Sequence, residues 1–434
     1  MYVNQDIQIM AYLRRVIFNM QKVYFKTFGC RTNQFDTQVM MSKLKDYELT
    51  QDELSSDFIV VNSCTVTNGA DSSVRNYISS MKRKNPHAKV ILAGCGSHSK
   101  GESLFNDKKV FGVIGHSEKE NINAVLKNEQ PFYQIGDLAH IDSTIVEEFV
   151  GKSRAFIKIQ EGCDFACSYC IIPQVRGAAR SHKEETILEQ ITKLASNGFG
   201  EFILTGTNVG SYGQDHNTSM ATLLKKMSQI RGVRRIRIGS LEPIQIDDAF
   251  MELLSEPWMA KQLHIALQHT SDKMLSLMNR RNTYKTDLDL FNNIASKGYA
   301  LGTDFIVGHP GEDEKAWTEA IERVKELPLT HVHAFSYSKR DNTVAATMKP
   351  EIRGNIAKER HKELTAIIKA KNYAFRREHR QNLEVLLENG KNNIYYGFDQ
   401  YFNKVEVHSN EDLSSNWVLL NDMEVNHEGN KAKI

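Results

Sequence analysis

The sequence predicts an α/β chain with an amino-terminal doubly wound parallel sheet, a central partial (β/α)6 barrel and a small carboxy-terminal β-barrel. Short apolar runs alternate with amphipathic helical patterns from Lys22 to about Ser143, and again from Ala155 to Phe335, as parallel strands joined by crossover helices require. Beyond a long helical pattern ending at Arg380, the rhythm changes to closely spaced short strands with polar turns. The 434 residues suffice for about three domains, and 41% hydrophobic with 25% charged residues is ordinary for a folded chain.

The elements follow in order. Residues 1–21 read as an extension, since Asp6, Arg14 and Arg15 interrupt their apolar stretches and no small-residue cleavage site follows. In the first domain, 22–145, strands are expected at Val23–Lys26, Phe58–Asn62, Val90–Ala93 and Phe111–Ile114. Helices are expected at Asn33–Lys45, Asn68–Lys84 and from Glu118. Gln130–Lys152 reads as a linker. In the second domain, 146–380, strands are expected at Ala155–Gln160, Glu201–Thr205, Arg234–Gly239, Leu263–Leu267, Gly302–Val307 and His331–Phe335. Helices fall at His182–Asn197, Asp247–Leu254, Thr286–Lys297 and Asp313–Glu326. The run Arg353–Arg380 carries Lys358, Arg360, Lys362, Lys369, Lys371, Arg376, Arg377 and Arg380, which reads as a basic, solvated face. The third domain, 381–434, has strands at Leu383–Leu387, Asn393–Phe398, Phe402–Val407 and Asn416–Leu420.

Six cysteines without a secretion signal fit a reducing cytoplasm, where thiols serve as ligands or reactive groups rather than disulfides. Cys163, Cys167 and Cys170 lie on one loop after the first barrel strand. Three thiols can hold three corners of a four-iron cluster and leave one iron open, whereas structural zinc takes four closed ligands. Cys30, Cys64 and Cys95 each follow one of three successive strands, so they should converge where ligands bind in open parallel sheets. Tyr169 could pack against a small cofactor. At the carboxyl ends of barrel strands, where chemistry sits, stand Gly206, Thr207, Asn208, Ser240, Glu242 and Gln268. Gly206 lets backbone approach a ligand, and Glu242 or Gln268 could bond an ammonium or ribose hydroxyls. Net charge is only +2, so RNA binding would need a local basic face. No apolar run is long enough to span a bilayer.

The motif Glu161-Gly162-Cys163…Cys167-Ser168-Tyr169-Cys170-Ile171-Ile172-Pro173, followed by Arg176-Gly177 and Arg180-Ser181, resembles the radical S-adenosylmethionine methylthiotransferases. Thr27-Phe28-Gly29-Cys30 with Asn33-Gln34 and Asp36, Asn62-Ser63-Cys64 and Ala93-Gly94-Cys95 are similar to that family's amino-terminal domain. The resemblance implies two 4Fe-4S clusters, on Cys163, Cys167 and Cys170 and on Cys30, Cys64 and Cys95. The first would bind and reductively cleave S-adenosylmethionine, and the second would carry or donate the sulfur. The last domain resembles the RNA-binding TRAM domain, with Lys391, Tyr395, Tyr396, Phe398, Tyr401, Phe402 and Lys404 as aromatics interleaved with charge.

The motif versions look most like the subgroup acting on N6-threonylcarbamoyladenosine at tRNA position 37. Arg176 and Arg180 would then meet the substrate carboxylate or else form structural ion pairs. The implied partners are the tRNA anticodon loop, a low-potential electron donor such as flavodoxin or ferredoxin, and a sulfur donor. Isopentenyl-adenosine in tRNA and an aspartate of a ribosomal protein are the alternative substrates. A non-enzymatic iron-sulfur protein that binds RNA or relays electrons is the alternative of another class, although electron carriers normally close every iron with cysteine. Asn342 replaces the family's usual glycine before Thr343, and asparagine tolerates the positive backbone angle expected there. Gln174-Val175 and His182 also depart from the family pattern.

Overall fold

The computed structural model describes residues 20–149 and 152–434, so most of the predicted 1–21 extension lies outside the described residues. The chain forms two compact units. The first comprises residues up to Thr144 together with Gln174–Arg176. In chain order it contains β1 (Lys22–Thr27), α1 (Arg31–Ser42), β2 (Glu48–Leu49), β3 (Phe58–Ser63), α2 (Asn68–Lys84), β4 (Lys89–Gly94), α3 (Cys95–Asn106), β5 (Gly112–Ile114), α4 (Ile122–Val125) and β6 (Phe132–Gln134). All six strands pair parallel in the order β2-β1-β3-β4-β5-β6.

Side chains alternate across β3, so Phe58 and Val60 enter one apolar layer with Met40, while Ile59 and Val61 enter the other with Val74 and Ile78. Both faces of β3 are buried, and its first four residues, Phe58–Val61, are accordingly a continuous apolar run. Helix α2 starts where predicted because the Thr67 side chain accepts the Ala70 N–H. Two expectations change. The helix expected from Glu118 is a 3₁₀ turn, His116–Asn121, followed by the four-residue α4. The stretch assigned to a linker contains β6, which adds a strand beside β5.

The second unit holds β7 (Ala155–Glu161), α5 (Ile172–Arg176, whose last three residues belong to the first unit), β8 (Arg180–Ser181), α6 (Glu184–Ser196), β9 (Glu201–Gly206), α7 (Met220–Ser228), β10 (Arg235–Arg237), α8 (Asp248–Leu253), β11 (Gln262–His264), α9 (Asp272–Leu277), α10 (Tyr284–Ser296), β12 (Ala300–Val307), α11 (Glu314–Glu326) and β13 (His331–Ser336). Parallel pairs join β7, β9 and β10, and likewise β11, β12 and β13. The parallel bridge Leu241–Ile265 links the two sets. The six strands therefore form the expected partial barrel, edged by antiparallel β8.

Helix α12 (Gly354–Glu378) leads into β14 (Gln381–Leu387), β15 (Ile394–Phe398), β16 (Lys404–His408), β17 (Trp417–Asp422), β18 (Glu424–Val425) and β19 (Asn430–Lys433). Their sheet, ordered β17-β14-β15-β16-β19-β18, curls over Leu383, Val385, Tyr395, Val405 and Val407 as a half-barrel. The basic run on α12 is not one solvated face. Arg360 is buried against Glu312 at 2.7 Å, Lys371 caps Leu327 O at 2.6 Å, and Arg376 donates to Asn430 Oδ1 at 2.6 Å.

A buried acid joins this sheet to the barrel. Glu201 opens β9 and accepts from Arg235 Nε and Arg237 Nε, each at 2.7 Å. The same guanidiniums donate to the carbonyls of Glu384 and Asp399. Burial alone would raise the Glu201 carboxyl, but Arg237 and Arg235 bring it down to about 2. Because the folded value is depressed, this stabilisation is complete above the unfolded value near 4.5 and is lost as pH falls toward about 2. Replacing Glu201 with Gln should destabilise the unit by about 3 kcal/mol, leaving two buried cations without their carboxylate. Denaturant unfolding followed by tryptophan fluorescence checks this, since Trp258, Trp317 and Trp417 all lie in this unit.

Candidate active site

Strand β7 delivers the chain into the Cys163–Cys170 loop, which is held by its own backbone and by neighbouring strands. Gly162 takes φ +71°, and a Cβ there would lie 1.8 Å from Ala178 O, so the close turn requires glycine. Cys163 N–H donates to Gly177 O at 3.1 Å, Ser168 N–H to Met278 O at 3.0 Å, and Ala345 N–H to Ser168 O at 2.8 Å. Gln160 spans the strand ends: its Nε2 reaches Glu161 O and Gly162 O, and its Oε1 accepts the Asn208 N–H, all at 2.8 Å.

Each sulfur of the loop accepts an N–H. Phe165 N and Asn208 Nδ2 approach Cys163 Sγ at 3.4 and 3.7 Å, Arg280 Nη1 approaches Cys167 Sγ at 3.5 Å, and Ile172 N approaches Cys170 Sγ at 3.5 Å. Burial pushes the Cys163 thiol up and the Cys170 thiol up to about 12, so a bound metal ion is what would hold these sulfurs as thiolates. Three soft donors with N–H bonds already aimed at sulfur fit an iron-sulfur cluster, whose potential such bonds tune.

The predicted neighbours fall as follows. Thr207 Oγ1 and Asn208 Oδ1 are buried with no hydrogen-bond partner, which suits a polar ligand at this strand end. Gly206 packs against Gln160, Ser240 is exposed, and Gln268 takes φ +69°, a sparsely populated conformation for glutamine, while its backbone bridges to β12. Tyr169 meets the His309 ring edge-on at 6.4 Å. Glu242 does not stand open for an ammonium group: both its oxygens face Arg280, with Nη1 at 3.0 Å from Oε1. Arg280 was not singled out in the sequence; the two consecutive arginines after Asn279, just past α9, were its signal.

Exchanging Arg280 for Met should leave the cluster bound and shift its midpoint potential to more negative values, because a cation and an N–H donor leave Cys167. Redox titration followed by electron paramagnetic resonance reads the shift. Loss of the pair should also cost the unit about 3 kcal/mol, since Glu242 is left without its cation.

In the first unit, Cys30 sits before α1, Cys64 just after β3, and Cys95 at the start of α3. Gly29 takes φ +93°, and a Cβ on it would lie 2.6 Å from Cys64 Cβ, so these loops approach as closely as glycine permits. Asn33 Nδ2 donates to Phe28 O and Ser63 O, both at 2.9 Å, and Asn62 Nδ2 donates to Asn33 O at 2.8 Å. The Val66 N–H bonds the Cys64 sulfur, whose thiol burial still pushes up to about 12. Cys30, Cys64 and Cys95 lie within electrostatic reach of one another, and this donor set also fits an iron-sulfur cluster.

Of the predicted substrate-binding arginines, Arg176 is buried and Arg180 is partly exposed. Arg176 is 2% exposed; its Nε donates to Cys95 Sγ at 3.2 Å and its Nη2 to Asn33 Oδ1 and Asp36 Oδ2 at 2.6 and 2.9 Å. Lys119, also buried, bonds Asp36 and Asp142 at 2.8 and 3.0 Å, so two cations balance two acids. Arg180 pairs with Glu161 Oε2 at 2.7 Å, while Lys158 takes Oε1. Both arginines thus stand in ion pairs, the other reading weighed in the sequence.

Of the carboxy-terminal aromatics, Tyr395 enters the core, Phe398 and Phe402 stack together at 4.7 Å beneath Arg154 and Arg237, and Tyr401 packs on Phe375. Tyr396 is exposed, with Lys404 Nζ 4.0 Å over its ring. It borders a groove of about 630 Å³ that includes Glu406, His427 and Lys431. Asn342 adopts φ +60°, as its replacement of a glycine anticipates. No helix among the described residues is long and apolar enough to cross a membrane.

A three-cysteine loop at the carboxyl end of the first strand of a partial barrel defines a radical S-adenosylmethionine enzyme, and residues 157–324 match the Radical SAM superfamily. Residues 22–115 match the uncharacterized protein family UPF0004. The fold resembles a radical S-adenosylmethionine methyltransferase, TsrM, from Kitasatospora setae, with TM-score 0.59 over 75% of this chain and 77% of that one at 14% identity. A protein of Helicobacter pylori strain J99, named as a methylthiotransferase with no substrate in its name, is 50% identical over 95% of this chain and 100% of its own length. The threonylcarbamoyladenosine tRNA methylthiotransferase MtaB of Aquifex aeolicus is 36% identical over 82% of this chain and 89% of its own. The chain belongs to the radical S-adenosylmethionine methylthiotransferase family. It is therefore a sulfur-group transferase that uses a 4Fe-4S cluster and S-adenosylmethionine.

Proposed function

We propose that this enzyme adds a methylthio group to C2 of N6-threonylcarbamoyladenosine at position 37 of tRNA. The observation that carries the reading is the pairing of two three-cysteine sets, one at the sheet rim of the first unit and one on the barrel loop, in a chain 36% identical to an enzyme named for that nucleoside. Cys163, Cys167 and Cys170 hold the cluster that takes S-adenosylmethionine, and Cys30, Cys64 and Cys95 hold a second. When bound, these groups supply the one-electron chemistry and the sulfur that an aromatic C–H, which lacks a leaving group, requires.

The chain's own residues do the rest. Asn208, Arg280 and the N–H groups of Phe165 and Ile172 orient and tune the barrel thiols, while Arg176 and Val66 do so for Cys95 and Cys64. Thr207 and Asn208 offer their unpartnered oxygens to the cofactor, beside Gly206, Ser240 and Gln268 on the strand ends. Tyr396 and Lys404 contribute a stacking face with an adjacent cation for RNA. A low-potential electron donor, such as flavodoxin or ferredoxin, and a sulfur donor complete the reaction.

Mass spectrometry of tRNA nucleosides from cells with and without the gene tests the assignment. Loss of 2-methylthio-N6-threonylcarbamoyladenosine with accumulation of its unthiolated precursor is the expected result. An unchanged level of that nucleoside would overturn the assignment, and loss of an isopentenyl-adenosine derivative or of a mass increment on a ribosomal protein would name the substrate instead.

A further inference from the structure

Three side chains on adjacent barrel strands, none of them a cysteine-loop residue, converge. The parallel register sets His264 of β11 beside Gly302 of β12, and Asp304 of β12 beside His333 of β13. Alternate residues of a strand share a face, so Gly302 and Asp304 point opposite to Phe305, which packs outward on Trp317 of α11 at 6.4 Å between ring centroids. Asp304 therefore faces the barrel lumen. His264 Nε2 lies 3.1 Å and His333 Nδ1 3.4 Å from the same oxygen, Asp304 Oδ1. The two imidazoles stack with centroids 4.8 Å apart. Gly302 makes the room, since a Cβ there would lie 3.0 Å from His264 Nδ1.

Asp304 draws both histidines to one oxygen, and the same three atoms are placed to share one ion. His264 Nε2 is buried 3.1 Å from Asp304 Oδ1 without a well-formed hydrogen bond to it. Atoms that ligate one ion have that relation: each points at the centre, and neighbours are separated by an edge of the coordination polyhedron. With bonds of about 2.1 Å, tetrahedral and octahedral edges are about 3.4 and 3.0 Å. The three ligand atoms all lie within 4.8 Å of one another. Two neutral imidazoles and one carboxylate carry a single negative charge, and two histidines with one carboxylate form a known set for first-row divalent metals. Calcium and magnesium prefer all-oxygen sites.

We propose that His264, Asp304 and His333 bind one first-row divalent transition-metal ion in the barrel lumen, separate from the cysteine sites. Three protein ligands leave at least one coordination position open, and the His333 side chain is 65% exposed, so water or a ligand oxygen can reach the ion.

The test is anaerobic equilibrium dialysis of the cluster-loaded enzyme against Zn²⁺, with zinc and iron both measured. The expected result is one zinc per chain without loss of iron, and affinity weaker by on the order of a hundredfold in His264→Ala and His333→Ala at unchanged iron content. His333 is the more exposed of the two, so His333→Ala keeps the test valid if His264→Ala fails to fold. His331→Ala is the control, because His331 bonds Thr330 Oγ1 and Asn372 instead. No zinc bound to the wild type, equal binding by the His333 variant, or an equal loss in the His331 variant would overturn the proposal.

Discussion

Cys167→Ala should reduce S-adenosylmethionine cleavage to background and, with the second cluster proposed above, halve the iron of the reconstituted enzyme while Cys30, Cys64 and Cys95 keep theirs. The loop offers three thiols and no fourth, so removing one leaves only two protein ligands for a four-iron cluster. Cys167 also carries the Arg280 contact at 3.5 Å, and with the sulfur gone Arg280 keeps its pair with Glu242 and its bond to Ala266 O. The fold should survive, because Cys167 is partly exposed and the loop is held by Gln160, Gly162 and the backbone bonds of Ser168. Counting 5′-deoxyadenosine released under reducing conditions, alongside iron analysis, checks both parts. Cleavage persisting at the wild-type rate would remove these thiols from the reaction.

Cys95→Ala should give the complementary phenotype. Iron should again halve, 5′-deoxyadenosine should still form, and no methylthio product should appear. Cys95 is buried at the start of α3 and receives Arg176 Nε at 3.2 Å, so the substitution removes a ligand of the proposed second cluster without placing a new polar group in the core. Arg176 keeps Asn33 and Asp36, which limits the cost in stability. The split between cleavage and transfer separates the roles of the two cysteine sets. Equal loss of both activities would mean that the first unit's thiols also serve cleavage.

The sequence showed the parts of this molecule that obey short-range patterns. Alternation of apolar strands and helices gave both parallel sheets, and the placement of Cys30, Cys64 and Cys95 after successive strands gave their convergence, because strand ends of a parallel sheet share one rim. Helix α3 was missed because Cys95-Gly96-Ser97-His98-Ser99-Lys100-Gly101 lacks an apolar period; it forms on tertiary packing, with Gly96 against Ser63 and Gly101 against Val113.

Long-range charge pairing was not legible. Arg176 is six residues from Cys170, yet it packs beside Cys95; Glu201 looked like an ordinary strand start, yet it buries against two arginines. The same limit applies to the aromatics of the last sheet. Alternation said that some must turn inward, but only the partners of Phe398 and Phe402, Arg154 and Arg237, show which of them pack against the barrel.

The most direct test of the account is a single assay: reconstituted enzyme, S-adenosylmethionine, a sulfide source and a low-potential reductant, supplied in parallel with tRNA bearing N6-threonylcarbamoyladenosine or isopentenyl-adenosine at position 37. The account predicts 2-methylthio-N6-threonylcarbamoyladenosine by mass spectrometry in the first reaction and no product in the second. Product in the second reaction alone would contradict it.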